Sequence, residues 1–99
     1  MSVIYEVNLE IEPQLEQDFR GWLPAHIEEV IQTGCFTSAK RYVIETKPGE
    51  PILWTTHYFA PDRESIDRYL RDFAPALRKH ALDRFGERFK ATRRILSPL

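Results

Sequence analysis

His26 lies in WLPAHIEEV, residues 22–30, four positions after Trp22 and so above it on the same helical face. Imidazole is the side chain whose ordinary pKa is nearest neutral, so it can hold or move a proton at physiological pH. Leu15, Phe19, Trp22, Leu23, His26, Ile27 and Val30 recur at spacings of three and four, which puts His26 near the centre of the apolar stripe. Burial there favours the neutral ring and demands a partner for its N–H. Two readings follow. His26 is a core residue that donates to a buried carbonyl or to Tyr5 or Tyr58, or it joins Trp22 in lining a pocket between helix and sheet. Tyr5, Trp54 and Tyr58 would supply the aromatic wall of that pocket.

Glu6, Asn8 and His57 form a second constellation, with Arg93 or Arg94 within reach from the last strand. A carboxylate, an amide and an imidazole can make an acid–base site. They can equally make a cross-strand network, in which Glu6 or Glu10 pairs with Arg93 or Arg94 and Asn8 with His57, that sets the register of a dimer. Lys90, Arg93 and Arg94 together could hold an anion. Metal binding has little support: three histidines lack HxxxH, HxH or HExxH spacing and Cys35 is the only cysteine. Gly21, Gly34, Gly49 and Gly86 are isolated, so no phosphate-cradling loop is expected. The sequence therefore predicts no metal and no cofactor. Cys35 and His80 read as core residues.

The elements that must position these groups follow from periodicity. Val3, Tyr5, Val7, Leu9 and Ile11 alternate with polar residues, the pattern of a strand with one buried face. A helix runs from Pro13 to Gly34, with Gly21 and Pro24 expected to bend it and to leave the Arg20 carbonyl without a donor. FTSAKRYVIET, residues 36–46, and PILWTTHYFA, residues 51–60, read as a hairpin joined by a loop of about four residues turning at Pro48-Gly49. A second helix starts after Asp62 and ends at Phe85-Gly86, with Pro75 dividing it into two pieces, and FKATRRIL, residues 89–96, is the last strand.

The order β-α-β-β-α-β predicts an α+β, ferredoxin-like domain spanning residues 1–99: a four-stranded antiparallel sheet with both helices on one face. Ile4, Glu6, Asn8 and Glu10 then share the other face with Leu53, Thr55, His57 and Phe59. That surface is too apolar to leave in water, so a homodimer is expected. The chain has 42% hydrophobic and 29% charged residues and a net charge of −1. It lacks an apolar run long enough for a membrane span or a signal peptide, which with its single cysteine points to the cytoplasm. Residues 1–60 carry four basic and nine acidic side chains, and 61–99 carry ten and six, so opposite halves can pair.

IYEVNL at 4–9, Trp22 with His26, Tyr69-Leu70 and FGERFKATRRIL at 85–96 together resemble a domain-of-unknown-function family of short bacterial proteins. The resemblance runs nearly end to end and implies a dimeric α+β barrel, two ferredoxin-like sheets packed face to face. Similar barrels include antibiotic-biosynthesis-type monooxygenases, chlorite-dismutase-like proteins and stress-responsive proteins, and no activity comes with the family itself. Two functions compete: a small-molecule binder, monooxygenase-like and cofactor-free, or a non-catalytic dimeric module, structural or regulatory. Single-stranded RNA binding shares the topology, but the last strand lacks the RNA-recognition pattern and the charge is slightly negative.

Overall fold

A computed structural model describes residues 2–99. Strand β1, Val3–Ile11, leads through a 3-10 turn at Pro13–Leu15 into helix α1, Glu16–Gln32. Strands β2, Ser38–Ile44, and β3, Ile52–Ala60, follow, then helices α2, Arg63–Asp72, and α3, Ala74–Phe85, and finally strand β4, Phe89–Leu96. The sheet is antiparallel in the order β2-β3-β1-β4, the ferredoxin-like topology expected from the element order. No helix among the described residues is long and apolar enough to cross a membrane.

Alternation along β1 fixes which side chains meet the helices. Tyr5, Leu9 and Ile11 are buried with Leu15, Phe19 and Val30 of the first helical segment and with Ile66 and Tyr69 of α2. Tyr5 stands opposite Tyr58 and Leu9 opposite Trp54, so β3 contributes its even residues to the same layer. Ile4, Glu6, Asn8 and Glu10 point the other way, away from both apolar clusters, as the period-two pattern requires.

The core is divided. One cluster gathers Tyr5, Phe36, Tyr58, Ile66 and Tyr69 beneath α2, and the other gathers Leu9, Phe19, Leu23, Trp54 and Phe85 beneath the front of α1. Only partly buried residues such as Val7 and Ile27 pack against both.

Two details, the β2–β3 loop and His80, depart from expectation. The loop between β2 and β3 has seven residues, 45–51, because the exposed β2 edge stops pairing at Ile44. Its turn is as predicted: Glu50 N–H donates to the Lys47 carbonyl, and Gly49 at φ 88 occupies the position that favours glycine. Pro24 leaves α1 unbroken over seventeen residues. Arg20, Gly21 and Pro24 are all exposed, so the carbonyl that proline deprives of a donor lies on the water side of the helix. His80 is exposed instead of core and lies 3.9 Å from Glu29. The chain breaks at Phe73, φ −124, so Pro75 falls in the first turn of α3, where its missing N–H costs nothing. That break resets the helical phase: Ala74, Leu77, Ala81 and Phe85 turn inward and His80 turns outward.

Candidate functional site

The sheet separates the residues singled out from sequence into two groups. Tyr5, Trp22, His26, Tyr58 and Arg93 border one concavity on the helix side. Glu6, Asn8, His57 and Arg94 gather on the opposite face. Trp54 joins neither group: it is buried against Phe19, with the Arg20 guanidinium 5.2 Å from its ring centre.

The concavity lies where the two apolar clusters fail to meet, between α1, α3 and the sheet, and holds about 260 Å³. Small side chains make the gap. Thr56, Ala81 and Ala91 face it where larger residues would close the layer. Phe19 and Trp22 of α1 form one wall, Tyr5 and Tyr58 of the sheet the floor, and Tyr69 of α2 one end. His26 stacks on Trp22 with ring centres 4.5 Å apart and planes at 18°. Among the described residues His57 is the one histidine whose ring makes a hydrogen bond of standard length, so both nitrogens of His26 lack a protein partner. The expected donation to Tyr5, Tyr58 or a buried carbonyl does not occur. Burial holds the His26 pKa below 6.5, aided by His80 and Arg93 and opposed by Glu29, which keeps the ring neutral at pH 7.

Burial, with Tyr69 and Tyr5 beside it, also pushes the Tyr58 hydroxyl above its ordinary range, and burial with Tyr5 does the same for Tyr69. Both stay protonated and able to donate. The Tyr5 hydroxyl accepts from Arg78 Nη2 at 3.1 Å, which draws a side chain of α3 over the rim. Arg78 and Tyr69 were absent from the residues expected in a site. Nothing local in the sequence marks Arg78, because the contact spans 73 positions. Arg93 could have been placed by parity: it shares its face of β4 with Phe89, Ala91 and Ile95, so its cation stands on the apolar side.

On the other face Glu6 is the hub. Its Oε1 accepts from Asn8 Nδ2 at 2.8 Å and from Arg94 Nε at 2.6 Å, while Oε2 lies 3.0 Å from His57 Nε2. Register explains the convergence, since Glu6 stands directly opposite His57 on one neighbouring strand and Arg94 on the other. The Glu6 side chain is only 6% exposed because these partners cover it. The Arg94 bond, then that from Asn8, hold its pKa below the ordinary glutamate value despite opposing desolvation. Tyr42 of β2 packs edge-on against His57 at 5.6 Å.

The family model described as "Domain of unknown function (DUF4286)" matches residues 2–99. The chain belongs to the DUF4286 family. No curated protein matches it in sequence. Among solved structures it is similar to an ethyl tert-butyl ether (ethd) family protein from Bacillus halodurans, with 18% identity and a TM-score of 0.70 over 98% of this chain and 99% of that one. It is also similar to SnoaB, a cofactor-independent oxygenase from Streptomyces nogalater, with 9% identity and a TM-score of 0.72 over 98% and 92%. A dimeric ferredoxin-like protein of unknown function from Jannaschia aligns at 12% identity and a TM-score of 0.61 over 95% and 98%. At these identities the likeness is one of fold, and it gives the DUF4286 chain the ferredoxin-like α+β architecture of those proteins.

Proposed function

We propose that this DUF4286 protein is a homodimer that binds a small, flat molecule in the helix-side concavity, in the manner of a cofactor-independent, monooxygenase-like barrel. The observation that carries the reading is a neutral, unpartnered His26 stacked on Trp22 at the edge of a 260 Å³ space walled by aromatic rings. That volume lies near the lower end of ligand pockets, about 300–1,000 Å³, and suits one or two rings. A neutral imidazole with a free nitrogen beside a flat ligand is what abstraction of a proton from a phenol or enol requires. The similarity in fold to a cofactor-independent oxygenase supports this class of chemistry.

The dimer rests on the opposite face. Partly buried Ile4, Leu53 and Phe59 and exposed Tyr42 there surround the Glu6 cluster, and the buried Thr55 Oγ1 finds no partner among the described residues. A second copy would cover the apolar rim and offer Thr55 a partner, leaving the concavity open behind each sheet. We further place the protein in the cytoplasm, since Cys35 is buried and unpaired.

A second reading, a non-catalytic dimeric module, is favoured by the saturation of Glu6. Three partners take up its two oxygens, so this cluster offers no free acid or base and suits assembly better than chemistry. Backbone amide shifts on titration with indole, a neutral ring, and with 2-naphthoate, an anionic one, distinguish the two. Shifts with either compound at Trp22, His26 and Ala81, abolished by filling the space with Ala81→Leu, support the binding site, whereas a spectrum unresponsive to both removes it.

A further inference from the structure

We infer that the ligand of this concavity is an anion: a planar aromatic molecule bearing a carboxylate or a comparably acidic oxygen, held between Arg78 of α3 and Arg93 of β4. The inference rests on the binding reading above and adds the charge class to it.

Arg78 and Arg93 both border the space, one from the helix layer and one from the sheet, while no aspartate or glutamate does. The ion pairs among the described residues include neither arginine. Five of the chain's ten arginines do pair with a carboxylate, Arg20, Arg63, Arg71, Arg88 and Arg94, and none of those five borders the space. Arg78 instead donates to the Tyr5 hydroxyl, another residue that borders the space. Arg93 stands on the helix side of β4 opposite Val7, and its charge acts on His26, Tyr58 and Tyr69. Burial keeps the Tyr58 and Tyr69 hydroxyls of the lining protonated and able to donate. The lining thus joins apolar surface at Phe19 and Trp22 to two cations and tyrosine hydroxyls, with no anionic group. A carboxylate would accept charge-assisted hydrogen bonds from both guanidinium groups, which a neutral ring cannot do.

The test compares 2-naphthoate with 2-naphthamide, equal in shape and different in charge, by calorimetric titration of the wild type and of Arg78→Gln, Arg93→Gln and Lys79→Gln. Both arginines are exposed, so the variants keep the fold, and Lys79, paired with Asp83 outside the space, controls for net charge. The expected result is naphthoate binding about tenfold or more tighter than naphthamide, as charged hydrogen bonds warrant. That preference should shrink in each arginine variant and persist in Lys79→Gln. Equal binding of the two compounds overturns the charge assignment and leaves the pocket intact. A preference that survives both arginine changes overturns the role of these residues. Failure of both compounds to bind overturns the pocket reading together with this one.

Discussion

Replacing Glu6 by glutamine isolates the charge at the centre of the sheet-face cluster, because the amide can reproduce the shape of every contact. Its Oε1 can still accept from Asn8 and Arg94, and its Nε2 can donate to His57 if that ring carries its proton on Nδ1. What is lost is the charge assistance, chiefly to Arg94. Such bonds are roughly twice as strong as neutral ones, but Arg94 is 68% exposed and water screens it, so we expect a loss of about 1–2 kcal/mol. At about 4–8 °C per kcal/mol for a domain of this size, the melting temperature at pH 7 should fall by about 4–16 °C. The pH dependence gives the sharper signature. Glu6 has its folded-state pKa depressed below 4.5, so its stabilisation is complete above that value and disappears as pH falls through the folded value. The gap between wild type and variant should therefore be widest at pH 7 and close below pH 4.5. Thermal unfolding at one protein concentration across pH 3–7 measures it, and a gap that is absent at pH 7 or constant with pH would refute the network's role.

Two glycines should respond in opposite directions, with chemical denaturation as the readout. Gly21 is exposed within α1, and a methyl group added there would meet nothing within 4 Å, so Gly21→Ala should stabilise by about 0.5–1 kcal/mol. Gly49→Ala, at φ 88 and equally uncrowded, should cost about 1–2 kcal/mol through backbone strain alone. Phe19→Ala should cost about 3–5 kcal/mol, because Phe19 is 1% exposed and stacks on Phe85, and urea unfolding reads the loss. His26 should titrate below 6.5 by NMR, which means that the folded state takes up this proton later than the unfolded chain and that stability falls as pH drops below 6.5. A His26 midpoint at or above 6.5 would show the ring to be solvated or paired with an acid.

The fold was legible because its strongest signals are periodic. Nine residues of alternation in β1 determine both faces of the sheet at once, and a single shift would have put Glu6 under the helices. The same parity separates Arg93 from Arg94. Less legible were features set by long-range packing. His80 looked inward on a continuous wheel, and only the break at Phe73 turns it out. Arg78 meets Tyr5 through tertiary structure that no local pattern encodes. The fate of His26 was similarly undetermined: the stripe places it against the sheet, but whether it meets side chains or space depends on small residues at Thr56, Ala81 and Ala91 on three other elements.

Sedimentation equilibrium of the wild type beside Tyr42→Glu tests most directly the claim that the two faces of the sheet do different work. Tyr42 is 48% exposed on the helix-free face, next to His57. The expected result is a wild-type mass of twice 11.7 kDa and a monomeric variant that still binds at the helix-side concavity. A wild type that stays at 11.7 kDa at every concentration would contradict it.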